Sequence, residues 1–567
     1  MFVYIIDMSY INRFYSNTVE VGIGPMIMSG VLKRNKCFVH YCDIELTSFD
    51  GIKKIVEDIN HYNPNIVSFT TRCDNYLLAL EIAKQIKLNN NEILIVFSGP
   101  QATHVDKETL KNFKQVDLII RNEGELTTIE LINAIKKKKD LEGIQGITYR
   151  TSDEIKRNKS RTLMSSIIFP PDYSIVPNRY ILNFKQQELS FRIEAGRGCP
   201  YNCTFCSTSK MWDRKYRLKT AWQVYSEMSR LNRRYGITRF IFEHDNLTAN
   251  RHDFDFFLNE MGTLNKEKFQ WKCSSRIDCL TVPIIEKMKS AGCEEIYFGI
   301  ESGSEKMQRV YGKNLKFDNL FKVFDSLNQK NIFFTCSFIC GHPEENQYDL
   351  EKTLLLMVNC KVFFGCTNIQ LHRLSPINGS KLYSDFKNNL VFDCTRLSDQ
   401  TGKILTDYEL KLIKKYPHIF SSHYGFNISE NMQMLFDKAI NYGVKTISDF
   451  PITIYFILQS KNKKIIDLLD WKRRDFESYI GNLKNELEKA RMLDIFKFEC
   501  KKADFCMENS NLEKIYYHIE IGSLMGGNLI QSIYLKKNKK KNICFFCNSH
   551  ANLMKELDSL GGQVEET

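Results

Sequence analysis

A chain of 567 residues, 43% of them hydrophobic, has the length for about three domains with proper cores. No run approaches the roughly 18 apolar residues of a membrane span, and the start, Met1-Phe2-Val3-Tyr4, lacks the charged opening and cleavage site of a signal peptide, so a cytoplasmic location without membrane attachment is expected. The net charge of +12 is spread over scattered lysines with no aromatic-interleaved basic stripe, which argues against nucleic acid as a partner, and 18 cysteines without an export signal read as reduced thiols and metal ligands rather than disulfides.

The first 150 residues alternate short apolar runs, at 3–8, 37–43, 65–70, 92–98 and 116–120, with helical stretches such as 75–88 and 125–138. That alternation predicts a parallel sheet with helices on both faces, an α/β domain of flavodoxin-like, Rossmann type. Ligands of such sheets sit outside the carboxyl ends of the strands, where the chain places Thr70-Thr71-Arg72, Ser98-Gly99-Pro100 and Arg121-Asn122-Glu123-Gly124-Glu125. These loops resemble the cobalamin-binding domain, with Gly-Pro after the fourth strand and Glu-Gly-Glu opening the last helix; Val21-Gly22-Ile23-Gly24 and Asp43 also fall in place. The resemblance implies cobalamin at Thr70, Ser98, Gly99, Glu123 and Gly124. No Asp-x-His-x-x-Gly run precedes residue 150, so it implies cobalamin without a protein histidine on cobalt, or a domain that has lost the cofactor. A third option is an auxiliary cluster on Cys42 and Cys73, as in methylthiotransferases, but Met8 stands where the first strand would have to supply a cysteine.

Residues 151–190, charged at first and then carrying Pro170, Pro171 and Pro177, read as a linker. After it comes Gly196-Arg197-Gly198-Cys199-Pro200-Tyr201-Asn202-Cys203-Thr204-Phe205-Cys206. A cubane iron-sulfur cluster held by only three thiolates keeps one iron open to a ligand, whereas structural zinc wants a fourth ligand, and the next candidates, His244 and Cys273, lie well beyond the loop. The C-x3-C-x2-C spacing, with Phe205 just before the third cysteine, resembles the radical S-adenosylmethionine (SAM) superfamily. The resemblance implies a 4Fe-4S cluster on Cys199, Cys203 and Cys206 and SAM on the open iron. It also implies an external one-electron reductant of flavodoxin or ferredoxin type and a 5'-deoxyadenosyl radical generated from SAM.

Strand and helix patterns alternate again from 191, with strands at 191–196, 238–245, 270–275, 294–302, 333–339 and 368–375. Six units fit a partial (β/α)6 barrel ending near 394, with its chemistry at the carboxyl ends of the strands. There Glu243 and Asp245 suit the SAM ammonium or ribose, and Ser275 with Arg276 suits the SAM carboxylate. Glu301, in a segment resembling the family's Gly-Ile-Glu-Ser, points at ribose or substrate and is the candidate catalytic residue; Gly341 lets adenine approach the backbone; Phe205 completes the cofactor set. His244, beside two acids, reads as a hydrogen-bonded neighbour and stays outside it.

From 395 to 567 the pattern becomes a mixed, mainly helical cap, with amphipathic helices at 408–415, 430–442 and 471–491 and a strand-rich end. The stretch 416–424 resembles segments of cobalamin-domain radical enzymes from natural-product and peptide pathways. Cys500, Cys506, Cys544 and Cys547 could hold zinc or a second cluster, or be packed thiols. The expected function is cobalamin-dependent C-methylation of a peptide, natural-product or other small-molecule substrate. The alternatives are a radical cyclisation, cross-link or epimerisation without methyl transfer, and a metal- or nucleic-acid-binding protein without turnover.

Overall fold

Five apolar stretches near the N-terminus become parallel strands because helices bury both of their faces. They are β1 (Phe2–Asp7), β2 (Phe38–Asp43), β3 (Ile66–Thr70), β4 (Leu94–Ser98) and β5 (Leu118–Ile120). The computed structural model describes residues 1–8, 22–43, 49–152, 154–177, 190–317, 320–393 and 405–449, with 451, 454–455, 457–458, 464–469, 519–520 and 530–531. Among the described residues no helix is long and apolar enough to cross a membrane.

Strand alternation sorts this core into two layers. Tyr4, Ile6, Val67, Phe69, Ile95 and Phe97 face one side, where they meet helices α2 (Phe49–Tyr62) and α3 (Tyr76–Asn89). Val3, Ile5, Ile66, Val96 and Leu118 face the other, where α1 (Ile23–Arg34) and the helix Glu125–Lys136 cover them. The strand order β2-β1-β3-β4-β5 reverses direction between β1 and β3, and that switch point leaves a crevice at the carboxyl ends of the strands.

The sheet then continues into two antiparallel strands, β6 (Ile147–Arg150) and β7 (Ile155–Arg157). β7 falls inside the stretch that the sequence places in a linker. Ile155-Lys156-Arg157 is a short, charged edge strand, a device that blocks further pairing, and hydropathy does not mark it. A second difference concerns the stretch after residue 405. Ile413, Ile419, Phe420 and Tyr424 join the α2/α3 face of the N-terminal core, so this part of the expected cap packs on the cobalamin-type domain.

The chain forms two compact units. The first comprises Met1–Ile296, Val310–Lys313 and Leu374–Asn427. Besides the N-terminal sheet it holds β8 (Phe191–Glu194), the antiparallel pair β9 (Gly196–Arg197) and β10 (Arg217–Leu218), then β11 (Arg239–Glu243) and β12 (Gln270–Ser275). β8, β11 and β12 pair in parallel. β13 (Cys293–Glu301) begins in the first unit and ends in the second, which holds the parallel pair β14 (Phe333–Cys340) and β15 (Asn368–Arg373). The six strands of this sheet run β15-β14-β13-β12-β11-β8, the six β/α units that the sequence predicts. The expected helix at 471–491 lies outside the described residues.

Candidate functional site

The carboxyl ends of the N-terminal strands open onto a cavity of about 550 Å³ inside the first unit. Gly22, Gly24, Thr70, Ser98, Gly99, Glu123 and Gly124 line it from the sheet, and Arg192, Glu243, His244, Asp245 and Ser274 from the strands that follow. All five expected cobalamin positions and two of the expected SAM positions therefore share one cavity.

Backbone forms much of the sheet-side wall. Asp7 Oδ2 accepts the Gly22 N–H and the Tyr41 hydroxyl, each at 2.7 Å, which fixes the entry to α1. Thr71 donates both its N–H and its hydroxyl to the Ser98 carbonyl, at 2.8 and 2.7 Å, strapping the loops after β3 and β4 together. Between them Gly99 has φ +97°, and a Cβ there would stand 2.5 Å from the Thr71 carbonyl oxygen. Only glycine fits such an approach, and the bare backbone at Gly99 lets a flat macrocycle such as a corrin come close.

The barrel side carries the cysteine loop. Cys199, Cys203 and Cys206 are half-buried thiols outside any disulfide. Thr204, between them, donates its N–H to the Tyr311 carbonyl at 3.0 Å and its hydroxyl to the Val310 carbonyl at 3.1 Å, and Phe205 sets its ring edge-on to Tyr311 at 5.7 Å. Asp245 Oδ2 accepts the N–H of Gly198, the residue before Cys199, at 2.7 Å. Burial raises the pKa of Asp245, and that hydrogen bond opposes the rise. Among the described residues no three His, Cys, Asp or Glu side chains gather around one ion position. Thiolates spread along a loop are what a cubane needs, because each binds a different iron.

Along the cavity wall runs a buried ionic network that the sequence does not announce. Arg197, two residues before Cys199, reaches Glu194 at 2.6 Å, Glu123 at 2.9 Å and Glu125 at 2.6 Å. Arg217 shares Glu123 at 2.6 Å, and Lys219 bridges Glu194 at 3.3 Å and Glu227 at 3.0 Å. Glu123 thus spends its carboxylate on two arginines and the Met164 N–H. It ties the cobalamin-type loop to the cysteine loop, and what it can offer a ligand is backbone.

Glu243 pairs with Arg192 across β8 and β11 at 2.5 Å. His244 is buried; its Nδ1 accepts the Asn246 N–H at 3.1 Å and its ring tilts against Tyr216 at 4.7 Å. Burial pushes its pKa down to about 3, so it stays neutral. Ser275 and Arg276 are not among the residues lining the cavity. Ser275 lies 2.6 Å from the Thr248 hydroxyl, and Arg276 turns toward Cys203.

Glu301 and Gly341 belong to the second unit. Glu301, buried at the end of β13, has φ +70°, a conformation that costs energy in a residue with a Cβ and marks functional or tightly determined sites. Gly341 has φ +101° and donates its N–H to Glu345 Oε2 at 2.8 Å; His342 N–H shares that oxygen at 3.3 Å. Burial pushes Glu345 up to about 8. Since the folded state then holds its proton above the unfolded pKa of 4.5, folding binds a proton between those values and stability falls as pH rises through about 8. Glu345→Gln keeps the carbonyl acceptor and removes the titration. Its unfolding midpoint is expected to hold level from pH 5 to 9 while the wild type declines; the same slope in both proteins would assign the decline to another group.

Cys500, Cys506, Cys544 and Cys547 lie outside the described residues, as does Val21. Cys42 and Cys73 are half-buried thiols near the strand ends, outside any disulfide.

Two family models match the chain: the radical SAM superfamily over residues 193–357 and the B12 binding domain over residues 16–132. An uncharacterised methyltransferase of Pyrococcus horikoshii is 28% identical over 351 residues, 61% of this chain and 73% of that protein. An anaerobic magnesium-protoporphyrin IX monomethyl ester cyclase of Cereibacter sphaeroides is 26% identical over 324 residues, 55% of this chain and 52% of that one, so the match spans about half of the cyclase. The solved cobalamin-dependent S-adenosylmethionine radical enzyme OxsB, with aqua-cobalamin and S-adenosylmethionine bound, has the same fold: TM-score 0.60 at 15% identity, over 98% of this chain and 83% of that one. The radical S-adenosylmethionine methyltransferase TsrM of Kitasatospora setae gives 0.56 at 14% identity, over 68% and 78%. The chain therefore carries a B12-binding domain followed by a radical SAM domain.

Proposed function

We propose that the enzyme transfers a methyl group to carbon on a polar peptide or natural-product substrate, in the cytoplasm, with electrons from a flavodoxin- or ferredoxin-type donor. The observation that carries this reading is the single cavity whose wall passes from Gly22, Thr70 and Gly99 to Glu243 and Asp245. A corrin on the glycine wall and SAM at the barrel strand ends would meet there. When bound, SAM supplies the adenosyl radical and the methyl group, and cobalamin carries the methyl group to the substrate.

The chain's own residues have distinct parts in it. Cys199, Cys203 and Cys206 hold the cluster, and Asp245 keeps their loop in place through Gly198. Thr70, Ser98, Gly99, Glu123 and Gly124 hold cobalamin, mainly by backbone. Phe205, Glu243 and Ser275 frame SAM. Domain limits of 1–150, 151–190, 191–394 and 395–567 accompany this reading.

The polar substrate class draws on the second unit. On β13 to β15 the apolar face, with Phe298, Ile300, Phe334, Phe338 and Leu371, is buried. The opposite face carries Tyr297, whose hydroxyl donates to Gln370 Oε1 at 3.2 Å, and His372, whose Nε2 lies 3.1 Å from the same oxygen. Hydrogen-bonding groups on the inner face of a partial barrel suit a substrate with hydroxyl, amide or carboxylate groups better than a hydrocarbon.

The test is anaerobic reconstitution with iron, sulfide and hydroxocobalamin, followed by incubation with methyl-deuterated SAM and a strong reductant. The expected result is retained cobalamin beside about four irons, with S-adenosylhomocysteine formed in proportion to cobalamin and 5'-deoxyadenosine formed as well. Deoxyadenosine without cobalamin uptake would instead support the second reading, radical chemistry without methyl transfer, which the cyclase relatives favour.

A further inference from the structure

Arg276 directly follows β12, its guanidinium clamped on every side but one. The residue is 6% exposed. A guanidinium has five N–H donors in a rigid fork. Nε donates to Asp278 Oδ1 at 3.0 Å, and Nη2 donates to Asp278 Oδ2 and to the Lys313 carbonyl, both at 2.7 Å. The planar group also stacks over the Tyr201 ring, its central carbon 3.9 Å from the ring centroid. The remaining nitrogen, Nη1, stands 3.7 Å from Cys203 Sγ, a normal reach for a hydrogen bond to sulfur.

A bidentate grip on the SAM carboxylate needs a free pair of parallel donors, and turning the fork to provide one would break three hydrogen bonds, the one to the Lys313 carbonyl buried. We infer that Arg276 is a positioning residue for the iron-sulfur cluster, donating a hydrogen bond to the Cys203 thiolate and so setting the ease with which the cluster accepts an electron. The inference rests on the cluster assignment to Cys199, Cys203 and Cys206. Hydrogen bonds to cluster sulfurs favour the more negative, reduced state and raise the reduction potential. The electron comes from the external one-electron donor; Arg276 itself is neither oxidised nor deprotonated. Tyr201, Cys203 and Arg276 thereby form one unit, in which the loop that binds the cluster also supplies the aromatic face that holds its hydrogen-bond donor.

Arg276→Gln and Arg276→Lys test the role. Both should fold, because the Asp278 side chain is 36% exposed and water can replace its partner. Iron and sulfide are quantified first in the wild type; an absent cluster there overturns the cluster assignment and is distinguishable from a failure of this inference. Redox titration of the SAM-free cluster, followed by electron paramagnetic resonance, is expected to show the reduction equilibrium weakened by up to about tenfold in both variants, which is about 59 mV for one electron. SAM affinity, read from the SAM-induced change in the same spectrum, should be unchanged. An unshifted potential with weakened SAM binding would return Arg276 to the SAM carboxylate. If neither variant takes up a cluster, wild-type enzyme labelled with 15N-arginine decides: a 15N coupling to the reduced cluster is expected, and its absence overturns the assignment.

Discussion

Replacing Cys203 with alanine is expected to abolish both cluster uptake and 5'-deoxyadenosine formation while leaving the fold intact. Cys203 offers one of three thiolates, and two cannot hold a cubane that must also keep an iron open for SAM. The loop itself does not depend on that sulfur. Its shape comes from backbone and hydroxyl contacts: Cys206 N–H to the Cys203 carbonyl at 3.1 Å, Thr204 to Tyr311 and Val310, and Gly198 to Asp245. The stability of the cluster-free protein should therefore change by about 1 kcal/mol or less, whereas iron and acid-labile sulfide in the reconstituted variant drop to background. Chromatographic assay of deoxyadenosine under strong reductant gives the second readout. A Cys203→Ala protein that retains wild-type iron and cleaves SAM would remove Cys203 from the ligand set. Cys199→Ala and Cys206→Ala should behave alike, because no cysteine elsewhere among the described residues joins the triad in a metal-binding group.

Most of the strands were legible in the sequence because each is a local pattern. The runs at 3–8, 65–70 and 92–98 lack alternation because both faces are buried, and they became β1, β3 and β4. The glycines of the cavity wall were legible for a similar reason: Gly99 before Pro100 announces a tight approach, and its φ of +97° supplies it. The three cysteines announce themselves by spacing. What was not legible depends on partners far apart in the chain. Arg197 reads as an ordinary charged loop residue, and its partners at 123, 125 and 194 give no local sign that it is buried. Glu123 looked like a ligand for cobalamin, yet two arginines from the barrel occupy its carboxylate. Arg276 matched the chemistry of a carboxylate clamp, but its donors are committed to Asp278 and Lys313. The helix Asp407–Lys415 was readable from its amphipathic period, whereas the face that receives Ile413 and Phe420, some 330 residues earlier around Tyr76 and Phe113, was not.

Arg197→Met is expected to cost about 3–5 kcal/mol of stability, the penalty for removing one partner from a buried ion pair. The magnitude follows from what remains. Glu123 keeps Arg217 and Glu194 keeps Lys219, but Glu125, 5% exposed, loses the ion pair it makes with Arg197. A methionine fills the space and brings no donor. Protonation relieves an unpaired buried carboxylate, so the deficit should shrink in acid and grow toward pH 8. Denaturant unfolding of the cluster-free protein at pH 5 and pH 8 measures both effects. The double variant Arg197→Met with Glu125→Gln should recover part of the loss at pH 8, and Arg197→Lys should fall between, since an ammonium can satisfy one or two carboxylates but not three. A deficit near zero, or one independent of pH, would mean that Glu125 finds another partner. The functional consequence separates the network from simple packing. Glu123 and Glu125 flank Gly124 on the cavity wall, and Arg197 leads into Cys199, so the same side chain fixes the wall at Gly124 and the cysteine loop. Weakened hydroxocobalamin uptake in Arg197→Lys, with its fold retained, is the result expected if holding those two loops together is what this buried charge does.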